Sequence, residues 1–347
     1  MSGQTRSFER FEWQWRRAPG GPGDMWVIEA ACENGERFIV GHHGMMPIRF
    51  SRGREDLLFG KTENTFVHPG HRDKLLYPRF ESRFASVYES RFDALFSTTG
   101  PSAAIRQRAA QGYDFPAVWQ RHIVSTHSLS VAALGLRRLA SRLPRRVVPW
   151  LGGGMRLVGR ARANRRSRDS WTALDNEAAR RSNFFPGFWD SARVHYGVTP
   201  RRDVADLTWR FWGGTNPSRT TIVVEQGSAS PGYIVLRRHD DVVPWASIDD
   251  VATEHPDAAS FRQVLNAARD WAAESSLHWL DVTVTDDAAS STGLGDALHD
   301  IEMATARRWQ QRAAGALPRM PRKITHRGAT LGLGLGEWFI TGIVFEL

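Results

Sequence analysis

Eleven arginines and not one Asp or Glu lie between Arg137 and Arg168. That stretch divides the 347-residue chain. The whole chain carries +9, so removing these charges leaves 9 − 11 = −2. The basicity therefore belongs to a connecting element and not to a folded surface. Length points the same way, because one core rarely grows beyond roughly 250–300 residues. Leu129, Ala133, Leu136, Ala140 and Leu143 mark one face of a helix that Pro144 ends. Arg156–Arg181 is expected to be helical again. The division is thus a domain over 1–125, an Arg-rich helical linker over 126–185 and a second domain over 186–347.

With 41% hydrophobic and 24% charged residues, the chain has ordinary globular composition. The single cysteine, Cys32, excludes an intrachain disulfide or a cysteine-rich zinc site and fits a reducing, cytoplasmic setting. The segment MSGQTRSFERFEWQWRR lacks the apolar run of a secretion signal. Gly328–Leu347 holds five glycines, Glu337 and Glu346. It reads as terminal strands with a turn, not as a membrane span of ~20 apolar residues.

Mixed α/β patterning runs through both halves. Met25–Ala31 and Phe38–Phe50 are apolar runs around Asn34-Gly35, a hairpin turn signal. Leu57–His68 is a third strand, ended by Pro69-Gly70. From Leu75 to Ser90 the residues Leu76, Phe80, Phe84, Val87 and Tyr88 fall at helical spacing. Asp93–Thr99 returns as a strand, Ser102–Gln111 as a helix closed by Gly112, and Trp119–Ser125 as a strand. In the second half Thr221–Gln226 and Gly232–Arg238 form a strand pair. Ala258–Glu274 and Leu294–Trp309 are helices, and Trp279–Thr285 and Trp338–Phe345 are strands.

The junction Val67–Tyr77 carries the chemistry. A strand enters a tight turn and then a helix, so the turn's amides and the helix N-terminus converge on a site suited to a pyrophosphate. Arg72 and Lys74 add positive charge.

This order of elements resembles the GNAT (GCN5-related N-acetyltransferase) acyltransferase fold, in a bacterial two-domain subgroup. Trp15-Arg16-Arg17-Ala18-Pro19-Gly20 is similar to that subgroup's opening motif, and Val40-Gly41-His42-His43-Gly44 to its second strand. Thr65-Phe66-Val67-His68-Pro69-Gly70-His71-Arg72-Asp73-Lys74 resembles its T-x-V-H-P-x-Y-R-x-K strand and loop. Leu207-Thr208-Trp209-Arg210-Phe211, Gly232–Leu236 and Trp338–Thr341 resemble parts of a second GNAT-like half. The resemblance covers 10–125 well and 186–347 more weakly. It implies two GNAT-like domains in tandem, with acetyl-CoA or another acyl-CoA held by Phe66, Val67, His68, Arg72, Asp73, Lys74, Leu75, Leu76 and Tyr77.

Two departures from the family pattern stand out. Leu75 and Tyr77 occupy loop positions where small residues normally let the backbone approach phosphate. Downstream, family members carry Asn-x-x-Ala-x-x-x-Tyr-x-x-x-Gly-Phe, whose Tyr is the general acid; here the register reads Pro101, Ala104, Arg108, Gly112 and Tyr113. Arginine is a poor proton donor but can stabilise a thiolate. Arg108 can equally bind phosphate or sit on a helix surface.

Acyl transfer to an amine needs a base and oxyanion donors. The resemblance places Glu63 as the base, directly or through a water; a surface carboxylate is the alternative. His68 is a second candidate or a structural residue of the turn. The amides around Phe66–His68 are the expected oxyanion contacts. Ser97, Thr98 and Thr99 end the next strand and are candidates for the acceptor pocket, or ordinary strand-end hydroxyls. Tyr113 is a candidate contact to acceptor or thiolate, or a core residue. No metal is expected, since His42-His43 face opposite sides of a strand and His68-x-x-His71 spans a turn with no third ligand. The glycines of Gly328–Gly336 lack a dinucleotide-binding context and suggest a closely packed strand. The second half has no basic turn after a strand and is not expected to bind coenzyme A.

The resulting expectation is N-acyl transfer from acetyl-CoA to an amine of a small molecule or sugar. A tRNA-dependent aminoacyltransferase of related tandem fold and a non-catalytic GNAT-like binding module are the alternatives. The 137–168 arginines are a solvated connector, or contact an anionic membrane surface or RNA.

Overall fold

The computed structural model describes residues 7–72, 76–98, 102–126, 170–213, 218–226, 229–240, 243–301, 319–335 and 338–341. The arginines of 137–168 lie outside these, as do 302–318 and 342–347. The strands are β1 (Asp24–Ala31), β2 (Arg37–Arg52), β3 (Glu55–Val67), β4 (Ala94–Phe96), β5 (Asp114–Ser125), β6 (Ser170–Leu174), β7 (Val198–Pro200), β8 (Thr220–Gln226), β9 (Gly232–His239), β10 (Trp245–Thr253), β11 (Trp279–Thr285) and β12 (Arg319–Ile324). The helices used below are α1 (Phe8–Arg16), α2 (Leu76–Tyr88), α3 (Ser102–Ala110), α4 (Ala258–Glu274) and α5 (His326–Thr330). No helix among the described residues is long and apolar enough to cross a membrane.

The chain divides into two compact units, 1–118 with 318–337 and 119–317 with 338–347. In the first, β1, β2 and β3 form an antiparallel meander. β3 leads into α2, and α2 returns through β4, parallel to β3. β12 then pairs antiparallel with both β4 and the start of β5. β12 thus completes the first unit's sheet, although in sequence it lies within 186–347.

The buried face of α2 is set by Glu81, Phe84, Ala85 and Tyr88, spaced i, i+3, i+4, i+7. Val87, which the periodicity placed on that face, is 48% exposed. Phe84, Ala85 and Tyr88 pack with Met45, Phe92, Leu95 and Tyr113 as the core. Trp15, from α1, is buried over β2. A Cβ at Gly44 would stand 2.2 Å from its ring, so the bare backbone of Gly44 makes room for it.

The second unit repeats this order. β8, β9 and β10 form an antiparallel meander. β10 leads into α4, which returns through β11, parallel to β10. β6 extends the sheet beyond β8. Ser170–Leu174 is therefore a strand, where helix was expected across 156–181; Trp171 and Thr172 favour extended backbone, and a helix starts only at Asn176 behind the Asp175 cap. Leu207–Phe211 lies on buried helical turns over Val204–Trp212.

Gly328 falls in α5 and not in a strand. Its close packing is real, since a Cβ there would meet the Asp93 carbonyl oxygen at 2.0 Å. In the closing segment, Trp338 makes an isolated bridge to Val198, and residues 342–345 of the expected strand lie outside the described residues.

Candidate active site at the open edge of the first sheet

β3 changes its surroundings along its length. Phe59, Gly60 and Lys61 lie between β2 and β4. From Thr62 to Val67, β2 is the strand neighbour, and no described strand covers the other edge. His68 N–H donates to the Val40 carbonyl at 2.7 Å. Residues 66 and 68 therefore direct their backbone groups at β2, and Val67 turns its own towards the open edge. Of the three amides expected as oxyanion donors, Val67's alone faces that edge.

The turn closes on itself. Pro69–His71 is a 3-10 turn, so His71 N–H bonds the His68 carbonyl at 2.9 Å and Arg72 N–H the Pro69 carbonyl at 3.3 Å. His68 Nδ1 accepts the Gly70 N–H at 3.2 Å. Arg72 Nε donates back to the Val67 carbonyl at 3.0 Å. The amides of His68, Gly70, His71 and Arg72, expected to point together at a phosphate, are thus engaged within the protein. Asp73, Lys74 and Leu75 lie outside the described residues, as do the side chains of Leu76 and Tyr77. The remaining Arg72 guanidinium is exposed at the strand end.

Behind this edge lies a buried polar chain. Between Glu63 and Phe66 the β2–β3 register slips, setting Asn64 and Thr65 opposite the single residue His43. Such a bulge re-aims a side chain, and Thr65 Oγ1 is hydrogen-bonded to His43 Nδ1. The other ring nitrogen of His43, Nε2, lies 3.2 Å from Glu81 Oε2, both side chains fully buried. Arg108 Nε lies 3.7 Å from Glu81 Oε1, and Arg108 Nη2 donates to Thr62 Oγ1 at 3.0 Å. Phe84 covers the His43 ring at 4.0 Å between centroids. Burial above all, then the Arg108 guanidinium and His42, pushes the His43 imidazole down to about 3. It is therefore the neutral imidazole at physiological pH.

The sequence-named residues separate accordingly. Glu63, partly exposed, has Oε1 3.3 Å from Nζ of the buried Lys61. His68 is exposed and caps the turn. Phe66 stacks on His42 at 5.7 Å. Arg108 is not a surface residue: it is buried, because α3 aims it at Glu81. Tyr113 is in the apolar core beside Phe84 and Leu95. Ser97 is buried, with its N–H on the Pro321 carbonyl at 3.1 Å. Thr98 is half-buried, and Thr99 lies outside the described residues. That Thr65, His43 and Glu81 meet carried no signal in sequence, because it depends on a bulge and on Glu81, 38 residues beyond His43. Among the described residues no three His, Cys, Asp or Glu side chains gather as metal ligands.

A conserved Enterococcus faecalis V583 protein described as a "Probable N-Acyltransferase" superposes with TM-score 0.56 at 10% identity, over 92% of this chain and 65% of that one. A GCN5-related N-acetyltransferase from Anabaena variabilis gives 0.52 at 12% identity, over 87% and 63%. Saccharomyces cerevisiae N-myristoyltransferase, bound to myristoyl-CoA and inhibitors, gives 0.51 at 11% identity, over 92% and 72%. The fold is that of the GNAT and N-myristoyltransferase acyltransferases. The chain spans slightly under two thirds of the first two proteins' lengths. No family model matches the sequence. No curated protein matches it either.

Within this acyltransferase fold, the two units differ where β3 meets α2 and β10 meets α4. The second junction reads Glu254-His255-Pro256-Asp257, and the Asp257 carboxylate caps α4 by accepting the Ser260 N–H at 2.8 Å. Carboxylates stand there where the first junction has Arg72.

Proposed function

We propose that the chain is an acyl-CoA-dependent N-acyltransferase of two GNAT-like domains, transferring acetyl from acetyl-CoA to an amine of a small molecule or sugar. The observation that carries this reading is the edge of β3 beyond Lys61, left open where β4 stops, with the Val67 N–H facing out and Arg72 at its end. An extended pantetheine arm fits such an edge as an added strand would, with the Val67 N–H near the thioester carbonyl. Arg72, with Asp73, Lys74 and the start of α2, would hold the phosphates. Because the amides of the 3-10 turn are already engaged, phosphate binding would rest on these later residues.

Glu63 is the base in this reading, acting on the amine directly or through a water, while Lys61 fixes its second oxygen. Arg108 is too deeply buried to donate a proton to a thiolate, so its contribution is electrostatic, through Glu81. Ser97 and Tyr113, buried as they are, shape the pocket wall from behind; Thr98 and Thr99 are the residues that would meet the acceptor. The acidic junction at Glu254–Asp257 supports assigning the cofactor to the first domain alone.

Titration calorimetry with acetyl-CoA tests the proposal. Binding at micromolar concentration, weakened at least tenfold in Arg72→Ala, is expected. No heat at high micromolar ligand, with Arg72→Ala indistinguishable from the parent, overturns it in favour of a non-catalytic module.

A further inference from the structure

Where β2 runs past the end of β3, three rings stand in a row on the surface of the first unit. The β2–β3 pairing begins at Gly41 and Val67, so Arg37–Ile39 reach beyond β3. There Phe38 meets His71 of the 3-10 turn at 5.9 Å between ring centroids, and His71 meets His68 at 5.8 Å, each contact edge-to-face. Phe38 is 45% exposed, His68 is exposed and His71 is half-buried. A phenyl ring left in water in this way offers apolar surface that an occupant would bury.

The polar groups beside the rings are available too. Arg72 uses Nε on the Val67 carbonyl at 3.0 Å, and among the described residues no carboxylate pairs with its Nη groups. His68 Nδ1 accepts the Gly70 N–H at 3.2 Å, so the ring hydrogen sits on Nε2 and makes His68 a donor to a ligand. The amides of the turn are engaged within the protein. An anion arriving here therefore meets a guanidinium and an imidazole N–H but no backbone cradle. A π-surface next to a guanidinium matches the two ends of a nucleotide, the base on the ring and the phosphate on the cation. A purine, with the larger face, covers more of Phe38 than a pyrimidine would.

We infer that Phe38, backed by His71 and His68, is the platform for the purine base of a nucleotide whose phosphate Arg72 holds. The inference rests on the acyl-CoA reading of the neighbouring β3 edge and names what holds the far end of that cofactor. In acyl-CoA the base is the adenine, at the end of the molecule remote from the thioester. Stacking on Phe38 supplies binding that the engaged amides of the turn do not. These rings take no part in the chemistry of acyl transfer. They set the carrier instead: a thioester borne on a nucleotide is preferred to one borne on phosphopantetheine alone.

Titration calorimetry of the full chain with adenosine bisphosphate (the nucleotide end of coenzyme A), phosphopantetheine, inorganic pyrophosphate and acetyl-CoA separates the parts. The bisphosphate is expected to bind more tightly than pyrophosphate. Phe38→Leu keeps an apolar side chain at an exposed position and removes the π-face. It should weaken the bisphosphate and acetyl-CoA about tenfold and leave phosphopantetheine unchanged. Phe38→Tyr should retain the parent affinities. An azidoadenine analogue of the bisphosphate should crosslink on illumination to the peptides bearing Phe38 or His68–Arg72. Acetyl-CoA bound equally by the parent and Phe38→Leu overturns the platform and leaves the cofactor reading standing. Pyrophosphate bound as tightly as the bisphosphate reduces the site to an anion contact and also overturns the inference. Bisphosphate bound as tightly as acetyl-CoA, with both weakened in Phe38→Leu, supports the platform and overturns the reading of the β3 edge as a pantetheine site. No heat from either ligand at millimolar concentration overturns both.

Discussion

Arg108 faces Glu81 inside the first unit, 3.7 Å from Nε to Oε1, with almost none of either side chain exposed. Removing one partner of a buried pair strands the other's charge and typically costs about 3–5 kcal/mol. Arg108→Met is therefore expected to lower the urea midpoint sharply. Arg108→Met combined with Glu81→Leu should recover much of the loss, and a double-mutant cycle of urea melts measures the coupling. Additive losses would show that the pair is not coupled.

His43 makes the stability of the first unit depend on pH. Its folded value is about 3 against 6.5 for a free imidazole. Between those limits the unfolded chain binds a proton that the folded chain does not, so stability falls as pH drops through that window. The slope from this group is about 1.4 kcal/mol per pH unit. Glu81 on α2, Arg108 on α3, His42 on β2 and Thr65 on β3 are the polar groups that face it or its ring plane. His43→Gln should flatten the dependence between pH 6 and 4, read from denaturant midpoints. An unchanged slope would mean that His43 is protonated in the fold.

Gly328 offers a steric test of the 318–337 segment. An added Cβ meets the Asp93 carbonyl oxygen at 2.0 Å, whereas at Gly334 it meets nothing within 4 Å. Gly328→Ala should cost at least about 1–3 kcal/mol. Gly334→Ala should be neutral or slightly stabilising. Thermal melts of the two variants decide the matter.

Tyrosine ionisation reports on both units. Burial raises Tyr88, Tyr196 and Tyr233, with Tyr196 at about 12. Tyr196 exchanges hydrogen bonds with the Thr253 backbone at 2.9 and 3.0 Å. Tyr233 donates to Asp250 at 2.8 Å, and Tyr88 to Asp24 at the same distance. The unfolded chain releases these protons near pH 10 and the folded chain does not, so their stabilisation is complete below pH 10 and is lost as pH rises through the folded values, about 12 for Tyr196 and higher for Tyr88 and Tyr233. A titration at 295 nm should show these three silent at pH 10.5, then appearing together with unfolding.

Much of the first unit's order could be read from periodicity. Asn34-Gly35 and the flanking apolar runs gave β1 and β2, and the aromatic spacing gave α2. Two elements that escaped carry charges whose partners are distant in sequence. β10 has Asp249 and Asp250 at its centre, residues that strands avoid. They are tolerated because Arg219 lies 2.8 Å from Asp249 and Arg202 lies 3.0 Å from Asp250, every side chain buried. β12 reads Arg-Met-Pro-Arg-Lys-Ile, which looks like a loop. It is a strand because Arg322 is buried and donates to the Leu335 carbonyl at 2.8 Å, while Lys323 meets Glu89 at 2.8 Å.

The site divides in the same way. The strand–turn–helix junction was legible, because turn residues and a following apolar period are local signals. The direction of Arg108 was not, since only the fold places Glu81 opposite it. His43 was weighed as a metal ligand alone, on strand geometry, and nothing local revealed its contacts with Thr65 and Glu81.

The position of β12 has a consequence for synthesis. It separates β4 from β5 in the first unit's sheet, yet it leaves the ribosome about 190 residues after β5, which at ~5–20 residues per second is a delay of roughly 10–40 s. During that interval the β4 edge waits unpaired beside the newly made core. The first unit is thus begun first and closed last, and its nascent form is the stage at which a chaperone has most to protect.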